Sequence, residues 1–307
     1  MEIDIIIPLY KPGKELFNLL DRLKCQTLPV KNIILMNTEE KYFTQLVYGT
    51  EFAHRYKNVK VFHLSKREFD HGRTRRKGVS LSDAPIFVMM TQDAMPADEF
   101  LLERLTANLK DDVAVAYARQ LPGSDSSVLE QFSRQFNYPA KSVIKSQEDL
   151  ERMGIKTYFC SDVCAAYRRD LYDKLGGFVK RAIFNEDMIY AAGAVKAGYK
   201  IAYEAQAQVI HSHNFTCGQQ FHRNFDMGVS QAQHPEIFGN IKSEAEGMRM
   251  VKAVTAYLKE SHLQKKLPYF YLQCFCKYAG YLLGKHYTKL PRRLVLACTA
   301  SPDYWKK

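Results

Sequence analysis

Asp93 carries a carboxylate and lies a few residues after a run of apolar residues. The apolar run covers residues 85–90, and three polar residues, 91–93, come after it. A carboxylate at the rim of a sheet can bind a hard divalent cation such as Mg2+ or Mn2+, which can bridge the two phosphates of a nucleotide diphosphate. Alternatively, Asp93 caps a helix that is predicted to begin at Pro96. The local sequence favours these two interpretations equally.

Glu186 and Asp187 are adjacent acids at the start of a helix predicted over residues 187–197. The helix dipole favours negative charge at this end, so such a pair also occurs without any catalytic role. The functional interpretation makes Asp187 a general base, which must lie within hydrogen-bond reach of the hydroxyl that it deprotonates.

His211 ends a short apolar strand predicted over residues 208–211, and His213 lies two residues later. Alternate residues of an extended segment lie on one face, so both imidazoles point to the same side. A neutral imidazole can complete a metal site, although a single histidine is more often structural. Either ring is therefore a candidate metal ligand.

Residues 66–77 contain a cluster of basic side chains around Gly72, close to the start of a helix predicted over residues 73–82. Backbone N–H groups at a helix start and guanidinium groups both bind phosphate well. The alternative is a solvated basic helix face. Together with the acids and the histidines, this cluster points to a site for a pyrophosphate, a metal ion and a base.

The composition is that of a globular protein with a basic C-terminal region. The chain has 307 residues, 46% of them hydrophobic, and a formal net charge of +11. Residues 240–307 carry 13 Lys and Arg against 4 Asp and Glu, which is +9 of this total. Such an excess suits nucleic acid, anionic lipid or an acidic substrate, and charge alone does not choose among them.

The seven cysteines show neither a disulfide framework nor the paired spacing of a zinc site, which favours a reducing cytosol. Cys160 and Cys164 could share a metal with the histidines near residue 211, but small buried side chains are the favoured interpretation. The N-terminal segment does not resemble a signal peptide. The apolar segment 267–284 is too short and polar for a predicted membrane span, and a surface-lying helix remains open.

Strands and helices are predicted to alternate along the first part of the chain. This pattern predicts an open parallel sheet with helices on both faces, whose ligands bind beyond the carboxyl ends of the strands. The predicted strands cover residues 4–9, 32–36, 59–64, 85–90 and 113–118, and the predicted helices cover residues 15–25, 41–56, 73–82 and 96–109.

The later part of the chain is less regular. An insertion is predicted to about residue 154, then a strand over 157–167, and two short strands over 200–203 and 208–211. We predict one domain over residues 1–238 and a basic, aromatic-rich helical extension over residues 239–307.

These segments, in this order, resemble the inverting glycosyltransferases of family 2 and, within that family, the bacterial rhamnosyltransferases. The resemblance covers roughly residues 3–230. It rests on segments 5–10, 69–75, 91–96, 154–157, 164–169, 185–187 and 211–216. It implies a GT-A fold with a mixed, mostly parallel sheet, a nucleotide diphosphate sugar as donor, and a single displacement that inverts the anomeric carbon.

The resemblance also implies roles for individual residues. The nucleotide-sugar would contact Pro8, Tyr10, Asn37, Thr38, Arg75, Gln92 and Asp93. Asp93 and His211 would bind Mg2+ or Mn2+, because the motif over residues 91–95 contains only one acid. Asp187 would be the general base, with Glu186 and His213 on the acceptor side. Arg76 would add a charge that faces either a phosphate or solvent.

The function expected from this resemblance is transfer of L-rhamnose from dTDP-rhamnose to a hydroxyl of a lipid-linked cell-surface polysaccharide precursor. A β-linked donor would give an α-L-rhamnoside. A UDP-linked donor is the alternative. The enzyme is expected in the cytoplasm, and the extension either contacts the anionic inner face of the membrane or packs on the core.

Two other classes of protein compete with this interpretation. A nucleic-acid-binding protein could use the basic, aromatic tail, although no nucleic acid is expected because that charge lies away from the acidic motifs. A nucleotidyltransferase would normally have a glycine-rich loop after the first strand, where only Gly13 stands.

Overall fold

A mixed sheet of nine strands forms the centre of the computed structural model, which describes residues 2–239 and 243–306. The strand order is β3-β2-β1-β4-β8-β6-β9-β5, and β7 pairs with β9. Strands β5, β7 and β8 run antiparallel to the other six, which confirms a mixed, mostly parallel sheet. The strands are β1 (Ile3–Tyr10), β2 (Val30–Thr38), β3 (Val59–Leu64), β4 (Ile86–Met90), β5 (Met95–Pro96), β6 (Val113–Leu121), β7 (Val143–Lys145), β8 (Cys164–Arg168) and β9 (Lys200–Ile210).

Helices cover both faces of the sheet and continue into the C-terminal region. They are α1 (Glu15–Lys24), α2 (Glu40–Val47), α3 (Phe52–Arg55), α4 (His71–Ser80), α5 (Leu101–Thr106), α6 (Val128–Asn137), α7 (Leu150–Met153), α8 (Arg169–Lys174), α9 (Glu186–Lys196), α10 (Cys217–Gln233), α11 (Pro235–Phe238), α12 (Ser243–Glu260), α13 (Leu267–Lys285) and α14 (Arg292–Cys298). Of the tail's basic residues, Lys242 and Lys307 lie outside the described residues.

The hydrophobic core forms on both faces of β1, as its continuous run of apolar residues predicts. Ile5 and Ile7 pack on one face with the leucines of α1, while Ile6 packs on the other face. The helix predicted over residues 41–56 is two helices, α2 and α3. The chain turns between them at Gly49, whose φ of +70° suits glycine.

The prediction that Pro96 opens a helix is wrong. Met95 and Pro96 form the edge strand β5, which pairs antiparallel with Ile210 and Val209 of β9. The helix begins only at Leu101. Proline is compatible with both a helix start and an edge strand, and here the strand pairing prevails.

The two short strands predicted over residues 200–211 are a single strand, β9. Its register against β6 shifts between Ala118 and Arg119, which pair with Glu204 and Gln208. The polar residues that interrupt the apolar pattern are accommodated in this irregular stretch, where Glu204 accepts a hydrogen bond from Asn108 at 2.6 Å.

The strand predicted over residues 157–167 begins only at Cys164. The preceding segment, Gly154–Tyr158, is a 3-10 helix. The buried ammonium group of Lys145 donates hydrogen bonds to the carbonyl oxygens of Lys156 and Phe159, which holds this segment in a turn conformation.

The C-terminal helices dock on the first part of the chain through α10 and α13. At this crossing, Gly280 faces the carbonyl oxygen of Phe221, and Gly284 faces that of Phe225. None of the described helices combines the length and the apolar character that crossing a bilayer requires. The domain boundary after residue 238 stays a prediction.

Candidate active site

A cleft of about 510 Å3 lies at the carboxyl ends of β4 and β9, where the fold predicts ligand binding. It brings together polar segments that are far apart in the sequence. Its charged and polar lining residues include Arg75, Asp93, Gln120, Glu130, Arg134, Asp162, Glu186, Asp187, His211, His213, Arg223 and Lys277.

Asp93, His211 and His213 converge at one end of β5. The pairing of β5 with β9 places the segment that precedes Met95 beside the segment that follows Ile210. Nε2 of His211 lies 3.5 Å from Oδ1 of Asp93, and Nε2 of His213 lies 3.2 Å from Oδ2. One ligand atom from each residue lies within 4.8 Å of the others. The alternative role of Asp93 as a helix cap is therefore wrong.

The hydrogen bonds of Gln120 determine which ring nitrogen of His211 faces Asp93. Arg134 can only donate, so the Gln120 atom that it contacts is the amide oxygen. The same oxygen lies 3.0 Å from Nδ1 of His211, which must therefore carry the proton in a neutral ring. Burial lowers the pKa of His211 and favours this neutral form.

The donor set consequently fits a divalent cation. In the neutral ring, Nε2 of His211 presents a lone pair towards the carboxylate of Asp93, and a cation bound between these two acceptors would offset their repulsion. Imidazole nitrogen and carboxylate oxygen are suitable ligands for Mn2+, and carboxylate oxygen is suitable for Mg2+. His213, expected on the acceptor side, lies with these candidate ligands.

The acid pair is presented by an unusual backbone conformation. Asn185, the residue before α9, is left-handed with φ 64°, a conformation that asparagine tolerates better than most residues. Asp187 Oδ2 accepts a hydrogen bond from the backbone N–H of Asp162 at 3.0 Å, and its Oδ1 accepts one from Met188 at 2.7 Å. These bonds hold the carboxylate of Asp187 at the cleft wall.

The two acids have opposite electrostatic environments. Burial opposes the ionisation of Glu186, but the charges of Arg75 and His71 outweigh it and lower its pKa to about 2. Burial and the negative charge of Glu186 raise the pKa of Asp187 to about 6. Adjacent carboxylates with separated pKa values are a common arrangement for acid–base chemistry.

Arg75 and Arg76 are both engaged within the protein. Nε of Arg75 lies 3.0 Å from Asp162, and Nη1 lies 3.0 Å from Glu186. Arg75 therefore supports the acid pair, although the resemblance implied a place beside the donor. Arg76 is half-buried and donates to the carbonyl oxygens of Gly176 and Phe178, so the protein itself engages its guanidinium group.

A second cavity, of about 270 Å3, contains two of the residues expected to bind the nucleoside, Tyr10 and Thr38. Lys66 also lines it, as do C-terminal residues 300–304. We call this cavity the Tyr10 pocket. Pro8 and Asn37, which were also expected to contact the nucleotide-sugar, are not among the described residues that line this pocket.

Asn37 and Gln92 make internal hydrogen bonds that organise this region. Nδ2 of Asn37 is 2.9 Å from the ring of His63, and the Asn37 side chain is buried. Gln92 accepts a hydrogen bond from the backbone N–H of Tyr10 at 3.0 Å and donates to its carbonyl oxygen at 3.1 Å. Gln92 thus ties the loop after β4 to the end of β1.

Several residues of the cleft were not predicted from the sequence. Gln120 and Arg134 orient His211, Asp162 supports Asp187, and Arg223 lines the cleft beside them. Their only sequence signal is the position of Gln120 just beyond a predicted strand. No sequence pattern indicated that residues 300–304 would line the Tyr10 pocket.

Comparison with known proteins places the chain among sugar-transferring enzymes. A model of the family described as glycosyl transferase family 2 matches residues 4–176. The O-antigen chain rhamnosyltransferase RfbN of Salmonella typhimurium is 38% identical, with 99% of this chain and 96% of RfbN covered. The O-antigen chain rhamnosyltransferase WbaN of Salmonella anatum is 37% identical, with 98% of this chain and 95% of WbaN covered.

Solved structures share the fold at low sequence identity. The mannosyltransferase PcManGT from Pyrobaculum calidifontis, in complex with GDP-Man and Mn2+, superposes with a TM-score of 0.62 at 13% identity, covering 92% of this chain and 86% of PcManGT. TarS of S. aureus in complex with UDP-GlcNAc superposes with a TM-score of 0.55 at 13% identity, covering 94% of this chain and 92% of that structure. The chain belongs to glycosyl transferase family 2 and is a glycosyltransferase with the GT-A fold.

Proposed function

We propose that this enzyme transfers L-rhamnose from dTDP-rhamnose, with inversion, to a hydroxyl of a lipid-linked polysaccharide precursor. The observation that carries the proposal is the placement of Asp187, with its pKa raised to about 6, in the same cleft as the Asp93–His211–His213 cluster. The choice of rhamnose is supported by the similarity to two O-antigen chain rhamnosyltransferases along nearly the whole chain.

Asp187 acts as the general base in this mechanism. Its carboxylate removes the proton of the acceptor hydroxyl while the hydroxyl oxygen attacks the anomeric carbon of the donor. The bond between that carbon and the diphosphate oxygen breaks on the opposite face, and the nucleoside diphosphate leaves with the electron pair. A β-linked L-rhamnose donor then gives an α-L-rhamnoside.

The residues around Asp187 support this role. Glu186 is ionised and pairs with Arg75 at 3.0 Å. Its negative charge lies close to Asp187 and raises the pKa of Asp187. A base with a pKa near 6 is ionised at neutral pH and still accepts a proton readily. The Tyr10 pocket, with Tyr10 and Thr38 in its walls, would hold the nucleoside.

Asp93, His211 and His213 would hold Mg2+ or Mn2+. Such an ion supplies positive charge that stabilises the departing diphosphate. His211→Ala removes one ligand, so we expect Mn2+ to bind at least about tenfold more weakly. Titration calorimetry with Mn2+ measures this, with His222→Ala as a control remote from the cluster. Equal affinities for wild type and His211→Ala would contradict the assignment.

A donor panel tests the proposed substrate. Purified enzyme is incubated with a lipid-linked acceptor and with dTDP-rhamnose, a UDP-linked sugar or GDP-mannose, and the product linkage is determined by NMR. We expect transfer from dTDP-rhamnose and an α-linked product. Preferential transfer from a UDP-linked sugar would show that the donor assignment is wrong, and a β-linked rhamnoside would contradict inversion.

Asp187→Asn tests the base. The amide cannot accept the acceptor proton, so we expect turnover at saturating donor to fall by about 100-fold to 10,000-fold. Donor binding should change little, because the substitution removes neither a ligand of the metal cluster nor a wall of the Tyr10 pocket. Asp173→Asn, an exposed acid on α8, is the matched control. Turnover close to wild type in Asp187→Asn would rule out this base.

We further propose that α13 contacts the anionic inner face of the membrane, where a cytoplasmic enzyme would meet a lipid-linked acceptor. Tyr271, Phe275 and Tyr278 are 46%, 67% and 54% exposed, and they follow helical spacing along one side of α13. Lys265 and Lys266 are exposed just before this helix. Flotation with anionic liposomes, but not neutral ones, is expected for the wild type and should be weakened by Phe275→Ser.

A further inference from the structure

Two cations in the active-site cleft have no acidic partner among the residues that the structure describes. Arg223 lies on α10 and Lys277 on α13, and both line the cleft that contains Asp187 and Asp93. Across residues 2–239 and 243–306, neither side chain forms a salt bridge or a hydrogen bond. The acids of the cleft therefore act on these two cations only at a distance, and neither cation is held in a direct ion pair within the described residues.

The other two arginines of the cleft differ in this respect. Arg75 is neutralised by Asp162 and Glu186, each at 3.0 Å. Arg134 pairs with Glu130 at 2.7 Å. These pairs are structural, because they hold the acids and Gln120 in place. Arg223 and Lys277 are thus the cationic groups that remain available to a ligand.

Two aromatic side chains position Arg223 between the acid pair and the candidate metal ligands. Its guanidinium carbon lies 4.5 Å from the ring centre of Phe184 and 5.6 Å from that of Phe215. Phe184 precedes the acid pair, and Phe215 stacks on His213 at 4.8 Å. Aromatic rings position a guanidinium group without supplying a full negative charge. Arg223 is therefore fixed between the general base and the candidate metal ligands.

The environment of these cations favours an anion. Burial, together with the positive charge of Arg134, lowers the pKa of Arg223, although Asp187 and Glu186 partly oppose this effect. Burial is also the main cause that lowers the pKa of Lys277, and Arg223 adds to it. Arg223 is exposed at the cleft surface and Lys277 is half-buried. Like charges held close together destabilise one another, and an anion bound between them offsets this repulsion. A bound phosphate would relieve this repulsion.

We propose that Arg223 and Lys277 form a binding subsite for a phosphate group of a substrate. This inference rests on the proposed function in one respect, namely that both donor and acceptor carry phosphate. The guanidinium group offers a planar set of N–H donors that matches two phosphate oxygens, while the ammonium group adds a point charge. The phosphate is either the donor diphosphate or the phosphate that links the acceptor glycan to its lipid.

Binding of inorganic pyrophosphate tests the subsite without requiring turnover. Titration calorimetry is carried out with EDTA present, so that no metal ion contributes to the affinity. We expect the double variant Arg223→Gln/Lys277→Gln to bind pyrophosphate at least about tenfold more weakly than wild type, because charge-assisted hydrogen bonds are lost. The control Lys252→Gln/Arg293→Gln removes the same two charges from exposed positions and should bind as wild type does.

Steady-state kinetics then identify the source of the phosphate. A donor diphosphate predicts a raised KM for dTDP-rhamnose in the double variant and an unchanged KM for the acceptor. An acceptor phosphate predicts the reverse, and transfer to a phosphate-free oligosaccharide should then be unaffected. Either result supports the subsite.

Equal pyrophosphate affinity in wild type and the double variant would overturn the subsite, even if the wild type transfers rhamnose. Conversely, pyrophosphate binding that depends on Arg223 and Lys277 would stand if the donor assignment failed. If the double variant does not fold, as judged by circular dichroism, Arg223→Lys replaces it. This variant keeps the charge but loses the planar donors, so a severalfold weaker affinity is expected, and wild-type affinity would overturn the role of Arg223.

Discussion

At the scale of single residues, the adjacent acids Glu186 and Asp187 have different tasks because they have different neighbours. Glu186 points to Arg75 and is held ionised, whereas Asp187 points to the cleft and to backbone N–H groups. The negative charge of Glu186 acts on Asp187 and keeps its pKa raised. In the proposed mechanism, Glu186 accordingly positions and tunes the base, and Asp187 is the group that would meet the substrate.

The pH dependence of turnover should report this coupling. Asp187 accepts a proton only when it is ionised, so turnover of the wild type should rise as the pH increases through about 6. Glu186→Gln removes the negative charge that raises the pKa of Asp187, and it leaves more of the positive charge of Arg75 unbalanced. The pKa of Asp187 therefore falls, and the rise in turnover should move to lower pH.

The measurement is kcat between pH 4.5 and 8, with each profile normalised to its own maximum. Glu204→Gln serves as the control, since Glu204 is also buried but bonds to Asn108 away from the cleft. Profiles that coincide for wild type and Glu186→Gln would show that the rise does not report Asp187.

At the scale of structural elements, the two-residue strand β5 has a large effect on the site. Its pairing with the end of β9 brings Asp93 to His211 and His213. If residues 95–96 formed the first turn of a helix, as their sequence also permits, this pairing would not exist. The candidate metal cluster is therefore a consequence of a non-local strand pairing.

The crossing of α10 and α13 depends on glycine. A Cβ atom on Gly284 would overlap the backbone carbonyl oxygen of Phe225, and one on Gly280 would overlap that of Phe221. Close backbone approach of this kind is possible only without side chains. The same two helices carry Arg223 and Lys277, so the crossing also sets the distance between these cations.

Gly284→Val tests this packing. The added side chain collides with backbone that cannot move alone, so we expect a loss of about 1–3 kcal/mol of stability or a displaced α13. Thermal unfolding measures the effect, and transferase activity should fall with it. Gly247→Val on α12 is the matched control, because no atom lies within 4 Å of its added Cβ. Equal melting temperatures for the two variants would contradict a tight crossing.

At the scale of the whole molecule, the end of the chain returns to the N-terminal strands. Thr299 donates a hydrogen bond to Asp226 at 2.5 Å, and Ala300 donates another at 3.1 Å. Asp303 pairs with Lys66 at 3.4 Å, beside Tyr10. Residues 300–304 thereby form one wall of the Tyr10 pocket, which joins the C-terminal extension to the first part of the chain.

Removal of residues 299–307 should consequently weaken donor binding more than acceptor binding. The truncated enzyme retains the cleft with Asp187 and Asp93, but its Tyr10 pocket opens to solvent. We expect the donor KM to rise severalfold with a smaller change in kcat. Asp303→Asn, which weakens the ion pairs of Asp303 with Lys66 and Lys306, should give a smaller effect in the same direction. An unchanged donor KM in the truncated enzyme would exclude this wall from the donor site.

The sequence by itself determined the class of fold and the chemical types at the site. Strands β1 to β4 and the helices between them follow from apolar runs and helical spacing, which act over a few residues. Asp93, Asp187 and His211 could be chosen because each follows or begins such an element at the expected edge of the sheet. The residues alone indicated a site for a pyrophosphate, a metal ion and a base, and the family resemblance of these segments indicated a glycosyltransferase.

The tertiary structure decided which of these groups meet and in what electrostatic state. The pairing of β5 with β9, the ion pairs of Arg75 and the wall formed by residues 300–304 join positions that are distant in the chain. Local patterns carry no information about such contacts. The pKa values of Glu186 and Asp187 differ for the same reason, because burial and the charge of neighbours from other elements set them. Residue type and spacing therefore predicted the candidates, and long-range packing determined their roles.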